Sequence, residues 1–504
     1  GANNTAVGLD SLRANTTGQY NTAVGTSALA ANTTAADNTA FGTMTLMANT
    51  TGTDNVAVGM QALTANTTAS SNTAVGNVAL LANTTGGYNV AIGGEALMDN
   101  TTAANNVAVG WRSLFNNTTG TANVSMGTSS LATQTTGDNN VAVGHLALNA
   151  NTTGSNNIAI GGLALDANTT AANNVAVGHQ ALTNNSTGTA NTAIGRLALA
   201  QNQTASNNVG IGHNTGFGTT TGTQNTFVGS NAFYSNATSS NNTGLGYQTL
   251  TSMGSGGGSG GNTAVGSNAG FAVTTGIFNV IIGSHTGYDL TSGSRNTLVG
   301  TSAGANITTG GDNTLVGADN CGGNITTAGA NTFVGKGAGK LNTGSDNTYI
   351  GQRCGENMTT GTGNVAIGKE ASPSSNTSSN SVTLGGGAIS ALRCNQTSIS
   401  SLSDERDKTE IIDLPIGLDF INKVRPVKFK WASRDGKQGK DGTFEAGFIA
   451  QEFQLVETST SVDYLNLVLD DNPDKLEAAP NKLFPVLVKA VQELSAEVQA
   501  LKAA

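Results

Sequence analysis

The chain contains few prolines, cysteines and charged residues for its length. Of 504 residues only 6 are Pro and 3 are Cys, and only 11% are charged, whereas an ordinary soluble protein carries about 25% charged residues. Three cysteines exclude a disulfide framework. No apolar run approaches the roughly 18 residues of a membrane-spanning helix, so no membrane insertion is expected. A net charge of −9 argues against nucleic-acid binding.

What charge there is lies mostly near the C-terminal end. Residues 1–402 hold 9 Lys/Arg and 13 Asp/Glu, whereas residues 403–504 hold 13 and 18. Five of the six prolines also follow residue 403, with Pro373 the exception. The composition therefore predicts two physically different regions that meet near residue 400.

Glycine, by contrast, is abundant, with 68 residues, and many of them mark a repeat. Segments of the type Asn-Thr-Ala-Val-Gly end in a Gly every 17 residues from Gly8 to Gly385, with an insertion within Gly254–Gly261 and compensating steps around Gly335. In these 23 coils the residue before the Gly is always apolar, and the residue four before it is Asn in 22. Four residues after the Gly stands Leu in the first twelve coils, and Gly in several later ones.

This repeat predicts a parallel β-solenoid with one 17-residue coil per turn. Two short period-2 segments closed by Asn-Thr-Thr turns predict two short strands per coil, and stacking would bury the Val/Ile and Leu columns. Stacked Asn side chains predict hydrogen-bond ladders, and the column Gly predicts a positive φ or a close backbone approach. Because each coil has few large apolar residues, we expect three chains packed around a common axis.

The coil Asn-Thr-Ala-Val-Gly-x-x-Ala-Leu resembles the β-roll heads of trimeric autotransporter adhesins, and the Asn-Thr-Thr-Gly coils are similar to those of phage tail fibres. The likeness covers about residues 1–385. It implies an all-β, trimeric β-solenoid shaft that attaches to a host cell-surface receptor, for which a glycan is the expected class. The sequence alone picks out no binding site for it.

Several other features of the shaft have simple structural explanations. His145, His179 and His213 each follow a column Gly and could form an axial metal site in a trimer, but the same column holds Trp and Arg, which is typical of an exposed surface. We therefore predict no metal and no other cofactor. Cys321 and Cys354 are predicted to be inert core thiols, and Cys394 has no evident partner.

The charged C-terminal part predicts a small mixed domain. Gly417–Val424 is predicted as a helix, Pro426–Trp431 as a strand, Ala446–Phe453 as a strand running into a helix, and Ser461–Leu465 as a short element. A long terminal helix carries apolar residues at coiled-coil spacings of 4 and 3 residues, namely Leu487, Val491, Leu494, Val498 and Leu501.

This part closely resembles the self-cleaving C-terminal intramolecular chaperone of endosialidases and other phage tail spikes and fibres. The likeness implies a shaft at 1–385, a junction at 386–402 and an α+β chaperone domain at 403–504, which cuts the chain between Leu402 and Ser403 once the trimer has folded. Asp404 stands where some members have Asn, and Asp407 where many have an aliphatic residue. The matching residues are Ser403-Asp404-x-Arg406-x-Lys408, Arg425-Pro426-Val427, Gly447-Phe448-Ile449-Ala450-Gln451-Glu452, Ser461-Val462-Asp463-Tyr464 and the terminal helix.

The chemistry of Ser403 can also be argued from residue types. A Ser hydroxyl needs a base, and Lys408 can serve if its pKa falls below the reference value of about 10.4. Arg406 could supply a neighbouring cation that lowers it, with Asp404 as a second supporting residue. No His lies within 403–504, which excludes a Ser-His-Asp triad there. The alternative is that Ser403 merely caps a helix and Lys408 is solvated.

The sequence thus predicts a virion structural protein, the distal part of a phage tail fibre that binds an upstream tail or baseplate component. The alternative is a bacterial trimeric surface adhesin with the same self-cleaving tail, located at the cell surface. A glycan-degrading spike is disfavoured because the shaft shows no paired carboxylates. Gly1–Asn4 has no basic and apolar segments, so no secretory signal is expected, and an anchoring region is expected upstream because the chain begins within the repeat.

Overall fold

A computed structural model describes residues 1–254, 260–386, 389, 403–431, 444–470 and 476–503. They form two compact units, Gly1–Asn331 and Thr332–Ala504. Across these ranges, no helix combines the length and the apolar character that crossing a membrane would take.

The first unit is a parallel β-solenoid, which confirms the predicted coils of 17 residues. Each coil contributes one three-residue strand that pairs in parallel with the equivalent strand of the next coil, as Ala142 does with Ala159. The strands are β1 Thr5–Val7, β2 Thr22–Val24, β3 Thr39–Phe41, β4 Val56–Val58, β5 Thr73–Val75, β6 Val90–Ile92, β7 Val107–Val109, β8 Val124–Met126, β9 Val141–Val143, β10 Ile158–Ile160, β11 Val175–Val177, β12 Thr192–Ile194, β13 Val209–Ile211, β14 Thr226–Val228, β15 Thr243–Leu245, β16 Thr263–Val265, β17 Val280–Ile282, β18 Thr297–Val299 and β19 Thr314–Val316.

The second unit begins with coils of the same kind and ends in a mixed α+β region. Strands β20 Thr332–Val334, β21 Thr348–Ile350, β22 Val365–Ile367 and β23 Val382–Leu384 also pair in parallel in chain order. The C-terminal region, by which we mean the described residues from 403 to 503, contains α1 Leu418–Ile421, β24 Val427–Phe429, β25 Glu445–Gly447, α2 Ala450–Thr460, β26 Val468–Leu469, β27 Glu477–Ala478 and α3 Phe484–Ala503, with 3₁₀ helices at Glu405–Asp407, Asp463–Leu465 and Pro480–Leu483.

The interior of a coil is narrow and is filled by small side chains and one Leu. The central strand residue, such as Ala142, and the Leu four residues after the column Gly, such as Leu148, are both fully buried. Successive strand residues point to opposite faces, so Val143 beside Ala142 is only half-buried, and its equivalent Ile160 is 40% exposed. The prediction that the Val/Ile column lies inside the coil is therefore wrong, because the smaller neighbouring residue occupies that position.

The predicted second strand of each coil is also absent from the described coils. After the column Gly, alternate residues have a positive φ, as Ser27 (57°) and Leu29 (51°) do, which is incompatible with an extended strand. The backbone still pairs between coils, because the Ser27 amide donates to Leu9 of the preceding coil (2.8 Å) and the Leu29 amide to Thr45 of the following one (3.0 Å).

The column Gly is required for both reasons that the sequence suggested. Gly144 has a φ of +137°, where side chains are strongly disfavoured. A Cβ built there would lie 2.6 Å from the carbonyl carbon of Gly161 in the next coil. Any larger residue would force the stacked coils apart.

Two columns of buried Asn form the predicted ladders. In the column four residues before the Gly, the Asn157 amide N–H donates to Asn140 Oδ1 (3.0 Å), and Asn157 Nδ2 donates to the carbonyl of Ala171 (2.9 Å). The Asn of the Asn-Thr-Thr turns forms a second ladder, in which Asn168 Nδ2 donates to Asn151 Oδ1 (3.0 Å). These contacts satisfy polar groups that would otherwise be costly to bury.

In several later coils the large interior side chain stands at the central strand position instead of the Leu column. Where Gly replaces the interior Leu, as at Gly304, the central strand residue grows to fill the space, as at Leu298. A Cβ on Gly304 would lie 3.2 Å from Leu298 Cδ2. Gly304 also keeps the positive φ of 56° that Leu adopts in the first coils.

The C-terminal region has the apolar core that the coils lack. Strands β24 and β25 pair antiparallel, as do β26 and β27, and the predicted helix within Gly417–Val424 is confirmed over the four residues of α1. The strand and the helix predicted within Ala446–Phe453 are β25 and α2. The buried cluster consists of Phe420, Phe453, Val462, Leu465, Leu467, Leu483 and Val486.

Candidate functional site

The region begins with a single turn of 3₁₀ helix over Glu405–Asp407. Its N-cap is Asp404, whose carboxylate accepts from the Arg406 amide at 2.9 Å. Ser403 thus stands one position before the cap, and its hydroxyl is not used for capping. Asp404 rather than Ser403 therefore caps this helix, and the alternative in which Ser403 is the cap residue is wrong.

The turn brings Lys408 back to Ser403. Lys408 Nζ lies 2.5 Å from Ser403 Oγ and 3.4 Å from the Ser403 carbonyl oxygen. The two residues are five apart in the chain, and the tight turn between them closes this distance without help from another element. A hydroxyl in hydrogen-bond contact with an amine is the arrangement in which an uncharged lysine can activate a serine.

Arg406 does not contact Lys408 in a described hydrogen bond but forms a fork with Asp404. Its Nε and Nη2 lie 3.0 and 2.6 Å from the two carboxylate oxygens. The hydrogen bonds from Arg406 hold the pKa of Asp404 below its usual range, and Asp404 in turn raises the pKa of Arg406. This pair fixes the turn, and the charge of Arg406 is offset at close range by Asp404.

Every side chain from Ser403 to Glu410 is exposed in the single chain. Leu402, the residue on the other side of the predicted cleavage site, lies outside the described residues, as does Cys394. The contact between Ser403 and Lys408 is therefore open to solvent, and its environment would change greatly if a further chain packed over it.

Other residues of the predicted motif stabilise later elements of the C-terminal region. Arg425 precedes β24, and its guanidinium forms a forked ion pair with Glu452 in the first turn of α2, with Nε 3.0 Å from Oε2. The pKa of the Glu452 carboxyl is lowered by this hydrogen-bonded pair. Ser461 ends α2 in the left-handed conformation with a φ of 57°. Arg425 therefore links the start of β24 to α2, and Ser461 terminates α2.

Two structural carboxylates were not recognised from the sequence. Glu457 of α2 is buried and accepts from the Leu467 amide at 2.7 Å, and Glu493 of α3 accepts from the Leu418 amide at 2.7 Å, at the start of α1. Both bind backbone groups that are distant in the sequence. No local pattern marks such residues, because their partners are chosen only by the tertiary fold.

The terminal helix has two apolar sides. Val486 and Ala490 of α3 are buried within the region. The residues of the predicted coiled-coil stripe are instead 41–78% exposed in the single chain, these being Leu487, Val491, Leu494, Val498 and Leu501. The stripe is thus available to a partner and is not used by the domain itself.

Residues 403–460 match the family model described as chaperone of endosialidase. The match begins at Ser403, the residue that the sequence predicts as the first after the cut. It supports the resemblance drawn from the motifs, that of a tail-fibre-like protein with an endosialidase-type chaperone domain, and this family implies self-cleaving chaperone activity. A search of curated proteins and a search of solved structures each gave no match.

The remaining candidate sites lie in the coils rather than in the chaperone domain. His145, His179 and His213 are exposed, and within the described ranges no three His, Cys, Asp or Glu side chains cluster as metal ligands would. Cys321 and Cys354 are fully buried, as predicted. Burial raises the pKa of Cys321 to about 12 and that of Cys354 to about 11, which suppresses the reactive thiolate.

Proposed function

We propose that this protein is the distal part of a trimeric phage tail fibre. Residues 1–385 form the shaft, 386–402 a junction, and 403–504 a chaperone domain that brings three chains together and then removes itself. Ser403 and Lys408 carry out the cut between Leu402 and Ser403, with Asp404 and Arg406 as supporting residues. The observation that supports this proposal most directly is the 2.5 Å contact between Lys408 Nζ and Ser403 Oγ at the first residue of the family match.

The cut proceeds as an acyl transfer within one chain. Ser403 Oγ attacks the carbonyl carbon of Leu402 while the uncharged amine of Lys408 accepts the hydroxyl proton. The Leu402–Ser403 C–N bond then breaks, its nitrogen takes the proton from Lys408, and an ester links Leu402 to Ser403 Oγ. Water opens the ester, which gives a carboxylate at Leu402 and a new amino terminus at Ser403. No cofactor takes part.

Trimer assembly would supply the burial of Lys408 that the single chain lacks. A lysine acts as a base only when it is uncharged, and burial of an amine favours its uncharged form. Lys408 is exposed in the single chain, so a second copy packed over it would create the base. Cleavage would then follow trimer formation and would make the assembly step hard to reverse.

Two exposed apolar surfaces support three chains. One is the α3 stripe, whose heptad spacing is typical of a coiled coil. The other is the outer face of the strands, where Ile92, Met126, Ile160 and Ile194 are 39–44% exposed. The apolar residues of each surface recur at a regular spacing, so the same surfaces of a second and a third copy could pack against them.

The shaft also needs a separate element to set its register. One-coil slips between chains would leave most contacts of a nearly uniform repeat unchanged, and register is weakly specified in such sequences. A non-repetitive trimeric domain at the chain end aligns the three chains before their coils pack.

The decisive experiment measures the mass of the folded protein under denaturing conditions. We expect two products in the ratio of 402 to 102 residues, with Ser403 at the amino terminus of the smaller one. Ser403→Ala and Lys408→Ala should each remain intact while still forming trimers. The matched controls Ser400→Ala and Ser401→Ala should be cut normally.

Two results would contradict the assignment. One is cleavage that persists in the Ser403→Ala variant, which would exclude Ser403 as the nucleophile. The other is a wild-type chain that stays whole after it has folded into trimers. An intact Lys408→Ala variant that fails to trimerise would show that Lys408 acts in assembly rather than as the base.

A further inference from the structure

One stretch of the first unit differs from all others in charge. Between Arg196 and Asp289 the sequence contains no Asp, Glu, Lys or Arg. The coils in this stretch also carry aromatic side chains at one repeated position, the fifth residue after the column Gly, at Phe217, Tyr234, Phe271 and Tyr288. We call this position the aromatic column.

The rings of the aromatic column stack in two pairs. The centroids of Phe217 and Tyr234 are 5.3 Å apart with an interplanar angle of 10°, and those of Phe271 and Tyr288 are 5.1 Å apart at 6°. Neighbouring strands in a sheet are about 4.8 Å apart. The nearly parallel rings of each pair therefore come from adjacent coils and form one continuous aromatic surface.

Thr251 occupies the aromatic column in the coil between the two pairs. The Ser235 amide donates to its carbonyl at 3.0 Å, and the Ser252 amide donates to that of Phe271 at 3.1 Å, so the three coils are contiguous. Tyr234 and Phe271 are two coils apart, which is about 10 Å. Thr251 thus places one small side chain between the two aromatic pairs.

A column of polar side chains runs beside the aromatic column, and we call it the amide column. It is the second residue after the column Gly, with amides at Asn214, Asn231, Gln248 and Asn268 and an imidazole at His285. The His285 and Tyr288 rings are 5.7 Å apart, which places the two columns side by side. Asn268 Nδ2 lies 3.3 Å from His285 Nε2. Amides both donate and accept hydrogen bonds, so this edge can bind hydroxyl groups in either direction.

We propose that the aromatic and amide columns bind a neutral oligosaccharide laid along the coils, with its sugar rings packed against the accessible sides of Tyr234 and Phe271. A pyranose ring has apolar C–H faces for the aromatic rings and a rim of hydroxyl groups for the amides. The absence of charged side chains between Arg196 and Asp289 favours an uncharged ligand. The coil rise is also close to the length of one unit in an extended glycan. This inference rests on the proposed role in attachment and assigns that role a place.

The test uses the intact protein and a panel of neutral hexasaccharides of the glucan and mannan types, with an oligosialic acid as the acidic arm. Binding is measured by calorimetry for the wild type, for a Tyr234→Ala, Phe271→Ala double variant and for Met98→Ala. Met98 is the fifth residue after Gly93, so it holds the same column position in a coil outside the patch. We expect a neutral hexasaccharide to bind, the double variant to bind roughly tenfold more weakly or worse, and Met98→Ala to bind like the wild type.

Each other outcome overturns the proposal. These are no binding of any neutral hexasaccharide, binding of the acidic arm alone, or equal binding by the double variant. A double variant that changes its sedimentation would show that this face packs against a second copy instead. Cleavage at Ser403 is measured on the same samples. Normal cleavage without glycan binding refutes this inference alone, and glycan binding without cleavage refutes the proposed maturation alone.

Discussion

The coils and the C-terminal region are stabilised in different ways within one chain. In the first unit the interior is lined by Ala, Leu and fully buried Asn, and each coil repeats the hydrogen bonds of the last. The C-terminal region instead buries a cluster of large apolar side chains that includes Phe420, Phe453 and Leu467, and its strands pair antiparallel.

This difference shows that the stability of the coils and the uniqueness of the chain register have separate sources. A repeated ladder gains stability with every added coil, because each coil contacts only its neighbours, but its contacts do not distinguish one register from another. A core of unlike side chains fits in one way only. The chain thus combines a strong but degenerate shaft with a small but specific domain, and the proposed self-removal leaves only the former in the mature fibre.

Deleting residues 403–504 should have the largest effect on this comparison. Without the specific domain, the coils have nothing to align the three chains, so we expect aggregated or misregistered shafts. Size-exclusion chromatography with light scattering would measure this. The matched control is the intact Ser403→Ala chain, which retains the domain and should yield uniform trimers. Soluble, uniform trimers from the deleted chain would contradict a chaperone role.

The next largest effect is expected from Gly144→Ala in the first unit. The added Cβ would meet the Gly161 carbonyl of the next coil at a φ of +137°, and strain at such a φ alone costs about 1–3 kcal/mol. We expect a thermal midpoint lowered by several degrees or a loss of soluble protein. Gly162→Ala is the matched control, because its Cβ would have only ordinary contacts with His179 and His145 at 3.5 Å and beyond. Equal midpoints for the two variants would show that the column Gly is not required.

Asp substitutions can distinguish the roles of the inner and outer faces of a strand. The double variant Ala142→Asp, Ala176→Asp places unpaired charges in the coil interior, which is costly, and should lose its β circular dichroism. Val143→Asp, Val177→Asp acts on the outer face and should keep the β signal but weaken the trimer. Sedimentation velocity distinguishes the two results. Trimers of wild-type stability in the second variant would exclude the outer Val/Ile column as the interface.

The smallest effect concerns the ion pair of the C-terminal region. Arg425 holds the pKa of Glu452 below its ordinary value of 4.5, so the pair contributes stability above about pH 4.5 that is lost as the pH falls through the lower folded value. Glu452→Gln should therefore lower the melting temperature of this region slightly at pH 7 and not at all near pH 2. The effect is small because exposed pairs contribute little.

The control for this pH series is Glu497→Gln, which removes another exposed glutamate, from α3. It should leave the melting temperature unchanged relative to the wild type across the same range. A penalty for Glu452→Gln that grows toward acid pH would have the wrong sign and would exclude the pair as its cause.

Much of the repeat architecture could be predicted because repetition in sequence becomes repetition in space. A 17-residue period with a fixed Gly, Asn and Leu leaves few alternatives to stacked coils, and the structure confirms the buried Leu, the Asn ladders and the positive φ of Gly144. Part of the candidate site was also local. Ser403 and Lys408 are five residues apart, so one short turn is sufficient to bring them together.

The errors came from choices that the period does not specify. An apolar residue before each Gly is compatible with either face of the strand, and only the space available inside the coil decided that Ala142 points inward and Val143 outward. The second segment has the alternation of a strand, but positive φ values at residues such as Ser27 and Leu29 prevent it from extending.

The sequence by itself therefore determined the coil length, the parallel stacking, the interior Leu and Asn columns and the pairing of Ser403 with Lys408, because each depends on short spacings repeated or closed within a few residues. Only the tertiary structure decided which strand face is buried, which carboxylates bind distant amides, and that the α3 stripe is exposed. These depend on volume and on contacts between distant residues, which no local pattern encodes.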